Sequence, residues 1–248
     1  MDINCDMGES FGAYRIGSDA AIMPFISSAN IACGLHAGDP LVMDATVKLA
    51  LEHAVSIGAH PGYPDLQGFG RRNLDLAPEE VEAFVLYQVA ALAGFVHARG
   101  GELTHVKPHG ALYNQAAGER SLAQAIARGT ARFSRSLVLV GLAGSLLVEM
   151  GSEAGLRTAA EAFADRAYNP DGSLRSRRLP GALIETPQEA LNQALRLVQA
   201  GVAITRAGQT NFTPVDTLCI HSDNPASPQI AQALRQGLEG EGITIHAL

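Results

Sequence analysis

The sequence predicts an α/β protein of the (β/α)-barrel class, with about seven strands. Apolar, strand-like runs alternate with helical segments along the 248 residues, which is the pattern of a parallel sheet. Strand after strand is followed by a motif rich in histidine and acidic residues, and in a β/α barrel these loops share the active-site face. An open doubly wound sheet would concentrate ligands at one switch point instead. No linker or low-complexity segment interrupts the chain, so we expect a single domain over residues 1–248.

Each element is predicted from its local pattern. Strands are assigned to short runs of Val, Ile, Leu, Ala or Cys, and helices to apolar residues at helical spacing after a proline or a capping residue. Pro78–Arg99 is the clearest helix, because Glu79 and Glu80 occupy its first turn and Gly100 follows its end. In order, the predictions are strand Met1–Cys5, helix Asp19–Phe25, strand Ser27–Cys33, helix Pro40–His53, strand Val55–Ala59, helix Pro78–Arg99, strand Leu103–Lys107, helix Ser121–Phe133, strand Leu137–Gly141, a helix ending near Met150, strand Arg157–Phe163, helix Pro187–Ala200, strand Thr217–His221, helix Pro225–Glu239, and Ile243–Ala247 as a last strand or a tail.

Composition narrows the classes of function. The formal net charge of −7 argues against a nucleic-acid partner, which usually requires a basic face. No apolar run reaches the roughly 20 residues of a membrane span, and the amino terminus lacks the pattern of a signal peptide. Cys5, Cys33 and Cys219 form no close pair, which favours reduced thiols and a cytoplasmic protein.

The acid and histidines that close the first three strands are the first candidate site. Asp6, His36 and His60 together supply one carboxylate and two imidazoles, a reasonable divalent-metal triad with positions left open for water. The same three residues also suit a metal-free acid/base cluster, in which Asp6 orients a histidine and sets its tautomer. The sequence leaves both interpretations open.

A lysine and two acids are expected on the same rim. Lys107 is one of two lysines in the chain and lies between His105 and His109. A lysine in this position acts as a nucleophile, a base or a cation, and we favour the cation. Glu161 and Asp165 can activate water or protonate a leaving nitrogen. We expect one of them to be catalytic and the other to pair with a neighbouring arginine.

Two long loops, residues 62–75 and 169–186, are typical of lids or binding loops. In the first, Arg71 and Arg72 follow a glycine-rich turn and suit bidentate recognition of a carboxylate or phosphoryl group, although solvated surface charge is the alternative. The sequence has no Walker A motif and no Gly-x-Gly-x-x-Gly motif after a strand. The residues alone therefore indicate a hydrolase acting on a small polar substrate.

The motifs also resemble the LamB/YcsF lactam-utilisation family, essentially from end to end. Small departures are Leu35, where phenylalanine is frequent in the family, and Ser222, where glycine is usual; the latter affects the backbone after the last strand. The runs that carry the resemblance are Asp2–Gly12, Asn30–Pro40, Gly58–Asp65, Gly68–Arg72, Val106–Asn114, and Glu161–Arg166 with Tyr168.

The resemblance implies a seven-stranded barrel like those of glycoside hydrolases and polysaccharide deacetylases. It also implies an ATP-hydrolysing 5-oxoprolinase activity, which opens 5-oxo-L-proline to L-glutamate together with two partner subunits, B and C. The missing nucleotide motif fits a chain whose ATP is handled by those partners.

The resemblance also suggests roles for the candidate residues. The acid and histidines of the first strand ends activate water, with or without a metal, while the cations hold carboxylate or phosphoryl oxygens and a rim acid moves protons to the ring nitrogen. The catalytic candidates are Asp6, His36, His60, Lys107, Glu161 and Asp165, and the substrate-binding candidates are Glu9, Asn30, Arg71, Arg72, His109 and His221.

Two other functions fit the same residues. A stand-alone, metal-dependent deacetylase or amidase acting on an N-acyl sugar or small amide would turn over without ATP and lose activity on chelation. A non-catalytic subunit that delivers a lactam to its partners would bind tightly and tolerate substitutions that preserve the pocket.

Overall fold

The computed structural model describes residues 1–205, 208–212 and 215–248, and a closed barrel of seven parallel strands lies at its centre. The barrel order is β1-β2-β3-β4-β5-β6-β9, and β9 pairs with both β6 and β1 to close it. The separate strands β7 and β8 form an antiparallel hairpin. The seven-stranded β/α barrel is therefore confirmed. The strands are β1 Asp2–Met7, β2 Ser28–Ala32, β3 Ser56–His60, β4 Leu103–Val106, β5 Val138–Leu142, β6 Arg157–Phe163, β7 Val202–Thr205, β8 Gly208–Asn211 and β9 Thr217–His221.

Strand side chains alternate between the inside and the outside of the barrel. In this barrel many of the inward-facing side chains are polar. On β1, Asn4 points inward, where its amide donates to Glu161 on β6 at 2.9 Å and to Thr217 on β9 at 2.7 Å. The alternate residues Ile3 and Cys5 belong to the large hydrophobic cluster instead. The apolar core thus extends through the layer between strands and helices, and the polar interior carries the functional groups.

Nine helical segments surround or cap the barrel in the described residues. Asp39 caps α2, its carboxylate accepting from the amides of Leu41 and Val42 at 2.9 and 3.0 Å. Thr186 caps α7, and Gly201 ends that helix in the left-handed region at φ 63°. The segments are α1 Asp19–Ile22, a 3-10 turn Met23–Phe25, α2 Pro40–Glu52, α3 Pro78–Ala98, α4 Gly110–Ala116, α5 Arg120–Phe133, α6 Leu146–Glu153, α7 Pro187–Ala200 and α8 Ser227–Gly240.

The predicted elements all correspond to observed ones; β6, α7 and β9 have the predicted bounds, and the ends of the others are shifted. β1 continues to Met7 and β3 to His60, so Asp6 and His60 are strand residues rather than loop residues. Three elements are not predicted by the sequence patterns: the seven-residue helix α4 and the two strands of the antiparallel pair β7–β8. Residues 243–248 form a tail, tied to the chain start by a hydrogen bond from the amide of His246 to the carbonyl of Met1.

In the part of the chain that the structure describes, α3 alone is long and apolar enough to cross a membrane by length and composition. It packs against α5 and β3, and Val81, Val85, Leu92 and Val96 are buried in that contact layer. This arrangement is that of a helix covering a barrel.

Both predicted long loops fold over the carboxyl ends of the strands. In the first, the amide of Ala111 donates to the carbonyl of Gly70 at 2.9 Å, which joins the loop to α4. The second begins after β6, where Gln193 of α7 donates to the carbonyls of Phe163 and Arg166, each at 2.7 Å. These contacts fix the loops above the polar interior.

Candidate active site

A cavity of about 540 Å³ opens at the carboxyl ends of the strands, between the two long loops. This is the face on which β/α barrels carry their active sites, and the volume suits a small ligand. Its floor is formed by residues from β1, β3, β6 and β9 and from the segment after β4. The floor residues are Asp6, His60, Lys107, His109, Phe163 and His221.

Lys107 lies at the centre of a buried polar cage. Its ammonium contacts the carboxylates of Asp6 and Glu161 at 2.9 Å each. It also contacts the side-chain oxygen of Asn4 at 3.2 Å and the sulfur of Cys219 at 2.9 Å. Three ammonium hydrogens therefore face four acceptors inside the protein. This cation stabilises neighbouring anions and has no hydrogen left for a ligand.

Charge pairing outweighs burial in this cage. Burial opposes the charged form of Lys107, but Asp6, Cys219 and Glu161 together raise its pKa well above the ordinary value. Burial would likewise raise the pKa of Asp6, yet His60 and Lys107 hold it well below the usual range. At neutral pH both groups are ionised, so Asp6 presents a carboxylate to the cavity.

Glu161 and Asn30 lie beneath the cavity rather than in its wall. Glu161 is fully buried, accepts hydrogen bonds from Asn4 and from the hydroxyl of Tyr113, the latter at 2.6 Å, and forms an ion pair with Lys107. Asn30 is also fully buried and donates to Asn4 at 2.7 Å and to Asp6 at 3.0 Å. Both residues position the groups above them.

Asp165 and His221 form a hydrogen-bonded pair in the cavity floor. The Nδ1 of His221 lies 3.0 Å from a carboxylate oxygen of Asp165, which also accepts from the His221 amide at 2.9 Å. Burial lowers the pKa of His221, so the ring is neutral at neutral pH and its Nδ1 carries the proton. Its Nε2 is then a free acceptor, 4.0 Å from Asp6 Oδ2. This is the arrangement of a general base oriented by a carboxylate.

His60 and His109 face each other beside Asp6. The Nδ1 of His60 donates to the carbonyl of Lys107 at 2.7 Å, and the Nε2 of His109 donates to the carbonyl of Phe69 at 2.8 Å. The remaining nitrogens lie 3.0 Å apart, and His60 Nε2 is also 3.2 Å from Asp6. Two facing lone pairs repel each other, so this site requires a shared proton or a cation.

Glu9 and His36 complete this cluster. In the described residues, neither ring nitrogen of His36 makes a hydrogen bond, and Glu9 Oε1 makes none either, although His36 Nε2 lies 3.5 Å from that oxygen. Burial and the charge of Asp6 raise the pKa of Glu9 well above its usual range. Gly70, at φ 61°, makes room for the cluster, because a Cβ there would lie 2.7 Å from the Cβ of His36. Buried polar atoms without partners mark a site built for a further group.

The residues of this cluster fit a divalent cation. Glu9, His36, His60 and His109 offer ligand atoms that all lie within 4.8 Å of one another. Glu9 Oε1 is 3.4 Å from His109 Nδ1, close to the roughly 3.3 Å expected between ligands of a tetrahedral zinc ion. The His36 and His109 rings are stacked at 3.9 Å and nearly parallel, so their lone pairs do not converge. Glu9, His60 and His109 are the better-oriented ligands, and the backbone carbonyls fix the tautomers that metal binding needs.

Asp6 lies outside that group, although the sequence predicts it as a ligand beside His36 and His60. Its Oδ1 is occupied by Asn30 and Lys107, and its Oδ2 faces His60 and His221. A second group of ligand atoms in the described residues combines Asp6 with Cys219 and His221. Because burial raises the pKa of Cys219 well above its usual value, that thiol is not a thiolate at neutral pH.

Arginines from both loops form the mouth of the cavity. Arg72 pairs with Asp65 in its own loop. Arg71 and Arg177, one from each loop, share the carboxylate of Asp223 at 2.7 and 3.0 Å. Burial opposes ionisation of Asp223, but Arg177 above all lowers its pKa to about 2. Asp223 therefore joins the two loops across the mouth.

Several residues of the site are not singled out by the sequence analysis. Asn4 and Tyr113 resemble ordinary polar residues, although the alternation of Asp2, Asn4 and Asp6 along β1 signals an inward polar face. Arg166 fits the pattern of a surface ion-pair partner. Nothing local in the sequence indicates that Arg177 and Asp223 meet, because the contact spans two loops.

Comparison with known proteins places this geometry in a known family. A model of the LamB/YcsF family matches residues 1–248. The A subunit of 5-oxoprolinase from Chloroflexus aggregans is 56% identical over 245 residues, which cover 99% of this chain and 97% of that protein. The corresponding 5-oxoprolinase A chain of Methylococcus capsulatus is 53% identical over 248 residues, covering 100% and 95% of the two chains.

A solved structure agrees with this match. The lactam utilization protein from Thermus thermophilus superimposes with a TM-score of 0.93 at 47% sequence identity. The superposition covers 100% of this chain and 99% of that one. The similarity thus extends over the barrel and both loops.

Proposed function

The chain belongs to the LamB/YcsF family, and we propose that it is the A subunit of a 5-oxoprolinase, opening the lactam of 5-oxo-L-proline to L-glutamate. The relatives that carry the 5-oxoprolinase name support the substrate. The observation in the site that carries the proposal is the Asp165–His221 pair beside the ionised Asp6, at the floor of a small cavity. These are the groups that hydrolysis of an amide bond needs.

His221 is the proposed general base. A water that donates to both His221 Nε2 and Asp6 Oδ2 fits between these atoms, which lie 4.0 Å apart. His221 takes the proton of the attacking water, and Asp165 stabilises the imidazolium that forms. The same imidazolium then gives the proton to the nitrogen of the lactam ring as the C–N bond breaks.

We propose that ATP supplies the activation, because amide resonance makes an unstrained lactam a poor electrophile. The γ-phosphoryl group of ATP passes to the lactam oxygen and releases ADP. Water adds to the activated carbon, the C–N bond breaks, and a second water hydrolyses the resulting acyl phosphate to glutamate and phosphate. The absence of a Walker A motif supports assigning ATP largely to subunits B and C.

The contacts suggest revised roles for three predicted catalytic residues. Lys107 keeps Asp6 ionised instead of holding a substrate oxygen, because its hydrogens are already engaged. Glu161 supports Lys107 from below. Asp165 acts through His221. On the cavity floor, Asp6 and His221 are left to contact the substrate, since both ring nitrogens of His60 and of His109 are engaged.

We also propose that Glu9, His60 and His109, with His36 adjacent, hold a divalent metal. When bound, such a metal polarises a carbonyl and lowers the pKa of a coordinated water.

The three buried cysteines are free. We therefore assign this chain and its partner subunits to the cytoplasm, where thiols stay reduced.

A stand-alone, metal-dependent amidase is the second candidate. It is favoured by the two histidines and one glutamate, the ligand set of several catalytic zinc sites. It predicts amide hydrolysis without ATP or partners, whereas the 5-oxoprolinase assignment predicts none.

Glutamate release from 5-oxo-L-proline separates the two candidates. The purified chain is assayed alone, with subunits B and C, and with both partners and ATP. Glutamate only in the complete mixture supports the assignment. The assignment would be refuted if the complete mixture released no glutamate while the same partner subunits were active with an A chain of known activity.

A further inference from the structure

The mouth of the cavity carries more guanidinium groups than carboxylates. Three of its arginines are in ion pairs, Arg72 with Asp65 and both Arg71 and Arg177 with the single carboxylate of Asp223. The other three have no ion pair within the described residues. The six arginines that line the cavity are Arg71, Arg72, Arg166, Arg175, Arg177 and Arg178, in a protein whose formal net charge is −7.

Arg166 is the unusual member of this set, because it is only 6% exposed. Within the described residues, the one hydrogen bond of its side chain runs from Nη2 to the carbonyl of Arg175 at 2.7 Å. Its Nε is buried without a partner among residues 1–205, 208–212 and 215–248. An arginine buried in this way normally has a carboxylate or phosphate partner.

Arg177 supplies a second unpartnered donor in the lining of the same cavity. Its Nη1 binds Asp223, while its Nη2 is buried and, in the described part of the chain, also lacks an acceptor. Burial first, and then the charge of Arg177, lower the pKa of Arg166 to about 10, while the carboxylate of Asp165 opposes them. An anion placed between them would relieve both the repulsion and the two unmet hydrogen bonds.

We infer that Arg166 and Arg177 form an oxyanion-binding subsite of the cavity, for a carboxylate or a phosphoryl group. The subsite lies in the same cavity as Asp6 and His221. A small substrate held here by its anionic group therefore presents its remaining atoms to those residues. If the bound anion is the carboxylate of 5-oxo-L-proline, the inference rests on the proposed function. If it is a phosphoryl group, the inference does not.

Direct binding by the purified full-length chain tests the subsite. The probes are 5-oxo-L-proline, its primary carboxamide and inorganic phosphate, measured by titration calorimetry. The variants are Arg166→Met and Arg177→Met, with Arg157→Met as the control, because Arg157 is exposed at the opposite end of β6. Far-ultraviolet circular dichroism and thermal melting establish that each variant is folded, and Arg177→Met keeps the inference testable if Arg166→Met does not fold.

The results identify which anion binds the subsite, or show that none does. If both variants weaken 5-oxo-L-proline binding at least tenfold and leave the carboxamide unchanged, the anion is the substrate carboxylate. If they weaken phosphate binding and not 5-oxo-L-proline binding, the anion is a phosphoryl group. Wild-type affinity for both anions in the variants, or no binding of either anion by the wild-type chain, overturns the inference. Because binding is measured without turnover, the subsite survives a negative glutamate assay.

Discussion

The Nε2 of His60 lies 3.0 Å from the Nδ1 of His109, while the other nitrogen of each ring donates to a backbone carbonyl. The backbone thus leaves two lone pairs pointed at one position. A cation at that position would also meet Glu9, whose carboxylate oxygen is 3.4 Å from His109. The fold therefore builds this site around a positive charge, either a proton or a metal.

The first prediction is that the purified protein binds one divalent metal per chain. His109→Ala should abolish binding because it removes a nitrogen that the Phe69 carbonyl holds in the ligand tautomer. His97→Ala, at an exposed position of α3, is the matched control and should retain the metal. Metal content is measured by mass spectrometry after loading with zinc or manganese and desalting. If the wild type and both variants held equal metal, or if none held any, a shared proton would be the explanation for the facing nitrogens of His60 and His109.

The second prediction concerns the cage around Lys107. Lys107→Met leaves the carboxylates of Asp6 and Glu161 buried without their cation, and breaking a buried ion pair in this way costs about 3–5 kcal/mol. We expect a loss of that size in the free energy of unfolding, measured by urea denaturation. Lys48→Met removes an exposed lysine and should change stability by less than about 1 kcal/mol. Similar values for the two variants would mean that the cage does not act as a charge network.

The third prediction addresses the role of Asp165. Asp165→Asn removes the charge that orients His221 and favours the wrong ring tautomer, so kcat should fall by about 10²–10⁴-fold in the complete assay mixture. Asp44→Asn, which alters a surface pair with Arg99, should keep wild-type activity.

The pH profile separates this role from a merely structural one. Asp165 raises the pKa of His221 against the dominant effect of burial. Removing its charge therefore lowers that pKa further, and the acidic limb of the rate profile should move to lower pH. A variant with reduced activity and an unmoved limb would contradict the assignment of His221 as the base.

Much of the fold follows from local sequence. The strand ends at Phe163 and His221 and the bounds of α7 are predicted correctly, because apolar runs and caps mark them. The helix α4 and the hairpin β7–β8 escape prediction. The former has seven residues, too few for a clear helical period, and the latter has short strands with little alternation.

The candidate site divides in a similar way. That Asp6, His60 and Lys107 share one rim follows from their positions at strand ends, because the barrel brings those ends together. Which groups are in contact depends on tertiary packing. Arg166 resembles a surface charge until the fold buries it, and the contact of Arg71 with Asp223 joins residues 152 positions apart.

The last prediction is that His105 makes the free energy of unfolding decrease in acid. Burial lowers the pKa of His105 to about 3, with smaller effects from the charges of Lys107 and His60. Between the unfolded pKa of about 6.5 and the folded value, the unfolded chain binds a proton that the folded chain does not. This contribution to stability is therefore complete at neutral pH and falls with decreasing pH, by about 1.4 kcal/mol per pH unit. His105→Gln should lower that slope by the same amount between pH 6 and 4, measured by urea denaturation, while His97→Gln keeps the wild-type slope. Parallel curves for wild type and His105→Gln would show that this ring does not titrate on unfolding.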